Sequence, residues 1–219
     1  ASYMSALCFY EGSMDYNLDQ TNTDLAINEL QNFLNAYPNS EKSKNINELI
    51  DELTHKLEFK AYENAKQYYK IADYKAANVA FDNVLNDFPS TKLRSKIYDY
   101  ILKSRYELAL NSVYDLKKDR IENALSFAKQ AEREMPNTDI AKTASDLKTK
   151  LLKAKEDFLV LEKKVDERKK ELFDKQKTEE ARINAEKDLK NAEKNSEQIK
   201  RDSAAQATPS PAATFKIQK

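Results

Sequence analysis

An all-α solenoid of helix hairpins, continued by a long charged C-terminal helix and a disordered tail, is predicted by three observations on this chain of 219 residues. The first is a recurrent spacing. Ala26, Ala77 and Ala124 each stand twelve residues before a proline, at Pro38, Pro89 and Pro136. Each pair brackets about three turns of helical periodicity, and each proline is followed two residues later by Ser or Thr, good N-caps for a following helix. The second is the stretch Ala61–Pro89, where Ala61, Ala65 and Ala77 alternate with Tyr68, Tyr74, Phe81 and Val84. Helices in a hairpin approach closely only where one side offers Ala and the other fills the hole with a large ring. The third is composition: 34% charged, 40% hydrophobic, and a single glycine. That balance suits long solvated helices with narrow apolar faces and disfavours β-hairpins.

With Pro89 as the last mark of a helix–turn–helix unit of about 34 residues, the small and large positions fall as in a tetratricopeptide (TPR) repeat. The prolines are 51 and 47 residues apart, so the first helix of each pair is extended. A plain helical bundle with prolines in its loops is the competing arrangement.

Taken in order, the first helix draws its apolar surface from Tyr3, Met4, Leu7, Phe9 and Tyr10, with Cys8 read as a small core residue, and it ends at Gly12. Residues 13–23, rich in turn formers, read as a loop. Thr21 or Thr23 is expected to cap a helix to about Tyr37. Ser40 is expected to cap a long one to about Ala72, buried along Ile46, Leu49, Ile50, Leu53, Leu57, Ala61, Ala65 and Tyr68. His55, the only histidine, lies off that stripe and reads as a surface residue. Helices over 74–88, 90–114 and from Asp119 or Arg120 to Met135 follow, the second with Leu93, Ile97, Ile101, Leu108 and Ala109 inward. From Ile140 through Ala144, Leu147, Leu151, Ala154, Phe158, Leu161, Val165 and Arg168 to Leu172 the seam positions alternate four and three. This is a heptad seam whose first part is expected to cap the last repeat. Beyond Leu172 the seam fails, and the chain to Asp202 is helix-prone but polar all round. The domains expected are a solenoid over 1–154, a charged extension over 155–202 and a disordered tail over 203–219. Phe215 and Ile217 in that tail could form a short docking motif.

Chemistry is narrowly bounded. Lys and Arg number 37 against 37 Asp and Glu, so no global field draws nucleic acid or an anionic membrane. One cysteine allows no internal disulfide and no cysteine-based zinc or iron–sulfur site. A single glycine excludes the P-loop and the dinucleotide fingerprint, and no catalytic signature occurs. No catalytic residue, metal site or cofactor is expected; a carboxylate-only enzyme is the remaining alternative of that class. No apolar run reaches the length of a membrane span. Ala1 opens directly into a half-repeat, which leads us to expect further sequence upstream, with any targeting signal. Binding remains. Aromatic and arginine side chains are the usual anchors on a solenoid, and Tyr10, Tyr68, Tyr69, Tyr98, Arg105 and Tyr106 are the candidates, each with core packing as its alternative.

The succession TDLAINELQNFLNAYPNS (23–40), the long helix with K-L…A-Y…A-x-x-Y-Y, and the D-Y-x-A-A repeat ending D-F-P-S-T (87–91) together resemble the BamD family. These are TPR lipoproteins of the bacterial β-barrel assembly machinery. The similarity reaches back to Tyr3 and forward through SRYELALNSVYDLKKDR (104–120), covering about residues 1–150. It implies a five-repeat protein, of which this chain holds roughly the last three, acting as a non-catalytic scaffold on the periplasmic face of the outer membrane. It implies a lipid anchor on a cysteine upstream of Ala1, a role Cys8 does not fill. In the family, C-terminal repeats dock on the POTRA domains of the barrel subunit BamA, and N-terminal repeats help receive unfolded outer-membrane proteins. By that resemblance the surface around Arg105, Tyr106 and Asn111 faces a BamA-like protein and other assembly subunits. Two features depart from the family: the charged extension, and a third repeat with Ala128 and Ala131 where bulkier residues are expected. A generic TPR adaptor in another cell-envelope complex is the alternative.

Overall fold

The computed structural model describes residues 2–206, all of whose regular structure is helical. The helices are α1 (Ser2–Glu11), α2 (Thr21–Ala36), α3 (Ser43–Lys70), α4 (Tyr74–Asp87), α5 (Arg94–Leu110), α6 (Tyr114–Glu134) and α7 (Asp139–Gln206). Each of the first six packs on its neighbour in sequence, and α3 also touches α5, which is the TPR-like arrangement. The described residues fall into two compact units that divide at Phe158.

The proline spacing sets the repeat. Tyr37, Phe88 and Met135, each directly before a proline, leave the helix with nearly the same backbone angles: φ/ψ of −135/62, −125/69 and −128/56. The proline ring disfavours helical angles at the preceding residue, so α2, α4 and α6 stop at one geometry. The turns after Pro38 and Pro89 are alike, and the one after Pro136 differs in passing through a left-handed Asn137 (φ 62°). Ser40 and Thr91 donate their backbone N–H to Tyr37 and Phe88 carbonyls at 3.1 Å, and the Thr138 hydroxyl donates to the Met135 carbonyl at 2.7 Å.

The cores follow the small–large alternation. Ala6, Ala26, Leu30, Ile46 and Leu53 join α1, α2 and α3. Tyr62, Ala65, Ala77, Phe81, Ile97, Ile101, Ala128 and Ala144 form the central cluster, and Ala109, Ile121, Ala124, Leu151 and Phe158 a third. Asp73 caps α4 by accepting from the Ala76 N–H at 3.0 Å. Just before it, Ala72 takes the left-handed conformation (φ 60°), with its own N–H and that of Asp73 bonded to Tyr69 and Tyr68 carbonyls.

Several expectations are corrected. Cys8 is exposed, because the α1 face that meets α2 centres on Ala6. The buried stripe of α3 passes through Tyr62 (5% exposed), while Tyr68 is 43% exposed. The buried positions here are Glu58 and Tyr62, with Leu57 and Ala61 half-buried beside them, and that helix phase turns Tyr68 outward. Neither Thr21 nor Thr23 caps α2: Gln20 stands at the N-cap without a side-chain bond, and Thr23 is buried against Gln20 and Ser13. α5 begins at Arg94 and ends at Leu110, and α6 opens at Tyr114, earlier than Asp119. Val113, extended at φ −62° and ψ 156°, makes that break.

In the second unit, residues 159–206 continue as helix, and from 159 to 201 no side chain is buried. Ion pairs three or four residues apart support it: Arg168–Glu171, Arg182–Glu179 and Lys190–Glu186. The tail expected over 203–219 lies from 207 onward outside the described residues, Phe215 and Ile217 included; residues 203–206 are helical.

Candidate functional site

The candidate anchors do not form one surface; two of them meet in a groove. Arg105, on α5, lies between α4 and α6. Its Nη2 donates to Asp82 on α4 at 3.0 Å, and its guanidinium carbon stands 4.4 Å over the Phe127 ring of α6. The side chain keeps 27% exposure. The arrangement follows from the local sequence: Arg105 sits beside buried Ser104, a small residue that leaves room for both neighbouring helices. Asp82 follows buried Phe81, which fixes its direction.

Tyr98 is on the same side of α5, two turns before Arg105. Its ring is 3% exposed and packs 5.3 Å from Phe127, so the ring belongs to the core. Its hydroxyl donates to Oε2 of Glu134, whose Oε1 accepts from Gln130 at 2.8 Å. Burial, reinforced by the Glu134 carboxylate, raises the Tyr98 phenol above its ordinary range. Conversely, the Tyr98 hydroxyl, followed by Gln130, holds Glu134 below the usual carboxylate range. Together with Arg94 these side chains line a cavity of about 480 Å³. Arg105 is paired with Asp82, and Glu134 is bonded by Tyr98 and Gln130, so the groove is preformed and polar, with a cation fixed in place by stacking and by a carboxylate.

The other candidates lie elsewhere. Tyr106 is half-buried against the third core cluster. Asn111 ends α5, donating from Nδ2 to the Glu107 carbonyl at 2.9 Å. Tyr69 stacks edge-on with Tyr74 and Tyr100 at 5.6 and 5.0 Å, and burial raises its phenol. Tyr10 donates to Glu52 at 2.9 Å, and that bond is the main reason its phenol is raised. Exposed Tyr68 lines a shallow cavity with Val79 of α4. Asp82, Phe127, Gln130 and Glu134 were not legible as partners, because their separations from Arg105 and Tyr98 say nothing until the hairpins fold. Among the described residues no cluster of His, Cys, Asp and Glu could hold a metal ion, and no helix is long and apolar enough to cross a membrane.

The family model YfiO, described as outer membrane lipoprotein, matches residues 1–121. The chain belongs to this family. No curated protein matches it in sequence. The matched stretch covers α1 to α5 and the first third of α6. It therefore contains Tyr10, Tyr69, Tyr98, Arg105, Tyr106 and Asn111, whereas Phe127, Gln130 and Glu134 follow it. YfiO (BamD) proteins are non-catalytic factors associated with the outer membrane, where they act in protein assembly with partner proteins, and that role comes to this chain with the family.

Proposed function

We propose that this chain is a scaffold of the outer-membrane β-barrel assembly complex, working at the periplasmic face of the membrane. Residues 1–154 act as the docking solenoid and 155–202 as a charged helical extension, and an upstream lipid anchor holds the protein at the membrane. The solenoid docks on the POTRA domains of a BamA-like barrel protein through the groove of α4, α5 and α6, alongside other assembly subunits and unfolded outer-membrane proteins. The observation that carries this reading is the Arg105 guanidinium, held between Asp82 and Phe127 while keeping an open edge at the groove. A cation fixed before binding gives up little side-chain freedom on contact, which favours affinity. Tyr106 and Asn111, one and six residues on, extend the proposed surface toward the end of α5; Tyr69 and Tyr10 would serve contacts elsewhere on the solenoid.

The test is co-purification of the tagged full-length protein from solubilised outer membranes. A barrel protein bearing POTRA domains is expected in stoichiometric amount. Arg105→Ala should reduce its recovery at least about tenfold, in line with loss of an anchoring arginine, while circular dichroism shows the helices intact. Full recovery with Arg105→Ala would remove the groove from the docking surface. Absence of any barrel protein would leave the adaptor reading.

A further inference from the structure

The seam that runs down α7 does not end where its run of apolar residues does. Continued in steps of four and three, its positions form two interleaved series, each repeating every seven residues. One series carries Arg168, Lys175 and Arg182, and then Leu189. The other carries Leu172, and then Glu179, Glu186 and Glu193. Basic and acidic residues are thus sorted onto different series. All of these side chains are exposed, Leu172 at 49% and Leu189 at 64%. Arg182 pairs with Glu179 at 2.8 Å and Glu186 with Lys190 at 2.9 Å along the same helix, with more than half of each side chain open to solvent. Exposed pairs of this kind hold their partners weakly, so the charges remain available to a second helix.

We propose that this face pairs with the same face of a second copy of the chain, the two helices antiparallel and Leu172 of each opposite Leu189 of the other. In an antiparallel pair the two series face each other, because one chain is read backwards against the other. Matching the leucines leaves no further choice of register. It sets Arg168 opposite Glu193, Lys175 opposite Glu186, and Glu179 opposite Arg182. The twofold relation makes each of these contacts twice. At the ends, Val165 meets Ser196, and Leu161 meets the apolar stem of Lys200.

The competing arrangements are penalised. A parallel pair sets each series against itself, Lys175 on Lys175 and Glu186 on Glu186, a succession of like charges that opposes association. An antiparallel slip of one heptad sets Leu172 against Arg182 in one direction and Leu189 against Glu179 in the other. Charge order therefore selects both direction and register, as polar seam positions do in coiled coils at a cost in stability. That order is complementary to itself, which favours a second copy over an unrelated helix. With few apolar layers the pairing is modest in strength, and the charges supply its specificity. It uses no residue of the Arg105 groove and is read on the purified chain without a barrel protein, so it stands apart from the docking proposed above.

The test is sedimentation equilibrium of the purified full chain over a wide range of micromolar concentrations, at low salt, where surface charges are least screened. A reversible monomer–dimer equilibrium is expected. Lys175→Glu alone and Glu186→Lys alone each turn attraction into repulsion at both copies of one layer, and each should weaken the dimer about tenfold. Circular dichroism checks that the helices remain. The double variant Lys175→Glu with Glu186→Lys restores opposite charges and should recover the parent affinity. Direction is read by disulfide formation in a Cys8→Ser background. Leu172→Cys mixed with Leu189→Cys should give a cross-linked dimer, and neither chain alone should. A chain that stays monomeric throughout would overturn the proposal and leave this face to a different protein. A dimer indifferent to both single reversals, no recovery in the double variant, or cross-linking of Leu172→Cys to itself would overturn it equally.

Discussion

Tyr98 and Glu134 show how single side chains tie this solenoid together. A ring in the core delivers its hydroxyl to a carboxylate at the end of the next helix. Because that bond holds Glu134 below the ordinary carboxylate range, the folded state favours the ionised form. Its contribution to stability is therefore present above the unfolded pKa, about 4.3 for a glutamate, and is lost as pH falls through the lower folded value. The raised Tyr98 phenol has the opposite sign: its share is present below the unfolded value near 10 and is lost as pH rises through the folded one. Tyr98→Phe keeps the ring and removes the bond. We expect urea unfolding at stepped pH to show a shallower loss of stability between about pH 5 and 3 for this variant than for the parent. An unchanged acid limb would mean that Glu134 gains nothing from Tyr98. At the same scale, Arg105 was readable as an anchor by residue type, but its partners Asp82 and Phe127 were not. Side-chain pairing across hairpins depends on helix phase, and sequence spacing alone carries no phase between separate helices. Tyr68 and Cys8 failed for the related reason that a one-position error in phase turns a helical residue by about 100°.

At the scale of elements, the joints are more uniform than the helices. Three pre-proline exits share one geometry, and each is followed by Ser or Thr. Thr91 is the most deeply set of these: 8% exposed, it bonds both Glu58 on α3 and the first turn of α5. It thereby fixes the α4–α5 turn to the preceding hairpin. Thr91→Val preserves volume but strands a buried carboxylate and a backbone donor, and should cost about 2–3 kcal/mol in chemical denaturation. A loss below about 0.5 kcal/mol, the range of ordinary surface changes, would show that the turn holds by its proline alone. The helix order, the proline stops and the α4 boundaries were all legible in the sequence, because they depend on local rules. The starts of α2, α5 and α6 were not. Thr23 is buried instead of capping α2, Thr91 is bonded to Glu58 and to the Leu93 N–H before α5, and extended Val113 sets the break before α6.

For the whole molecule, the division at Phe158 separates two kinds of helix. Up to that residue α7 contributes Ala144, Leu151 and Phe158 to the cores, with Lys148 and Lys155 paired to Glu132 and Glu122 of α6 at 2.6 and 3.1 Å. After it, through 201, no described side chain is buried. Ending the chain after Phe158 should therefore leave the thermal midpoint of the first unit within about 2 °C, while circular dichroism loses the helical signal of the remainder. Phe158→Ala in the full chain should instead cost about 3–5 kcal/mol, the usual loss for a buried ring. A midpoint that falls by about 10 °C or more on truncation would show that the second unit stabilises the first.

The sequence by itself determined the fold class, the repeat, the family resemblance and the absence of recognisable catalytic signatures, since each is written in residue type and local spacing. Proline sterics, alanine–aromatic alternation and glycine scarcity act over a few residues and need no knowledge of distant neighbours. Only the tertiary structure decided which tyrosines are core, that Arg105 is clasped by α4 and α6, and that Thr91 bonds the buried Glu58 of α3. Those outcomes depend on the rotation of one helix against another. That rotation is set by the summed packing of whole faces, and no single stretch of the chain contains it.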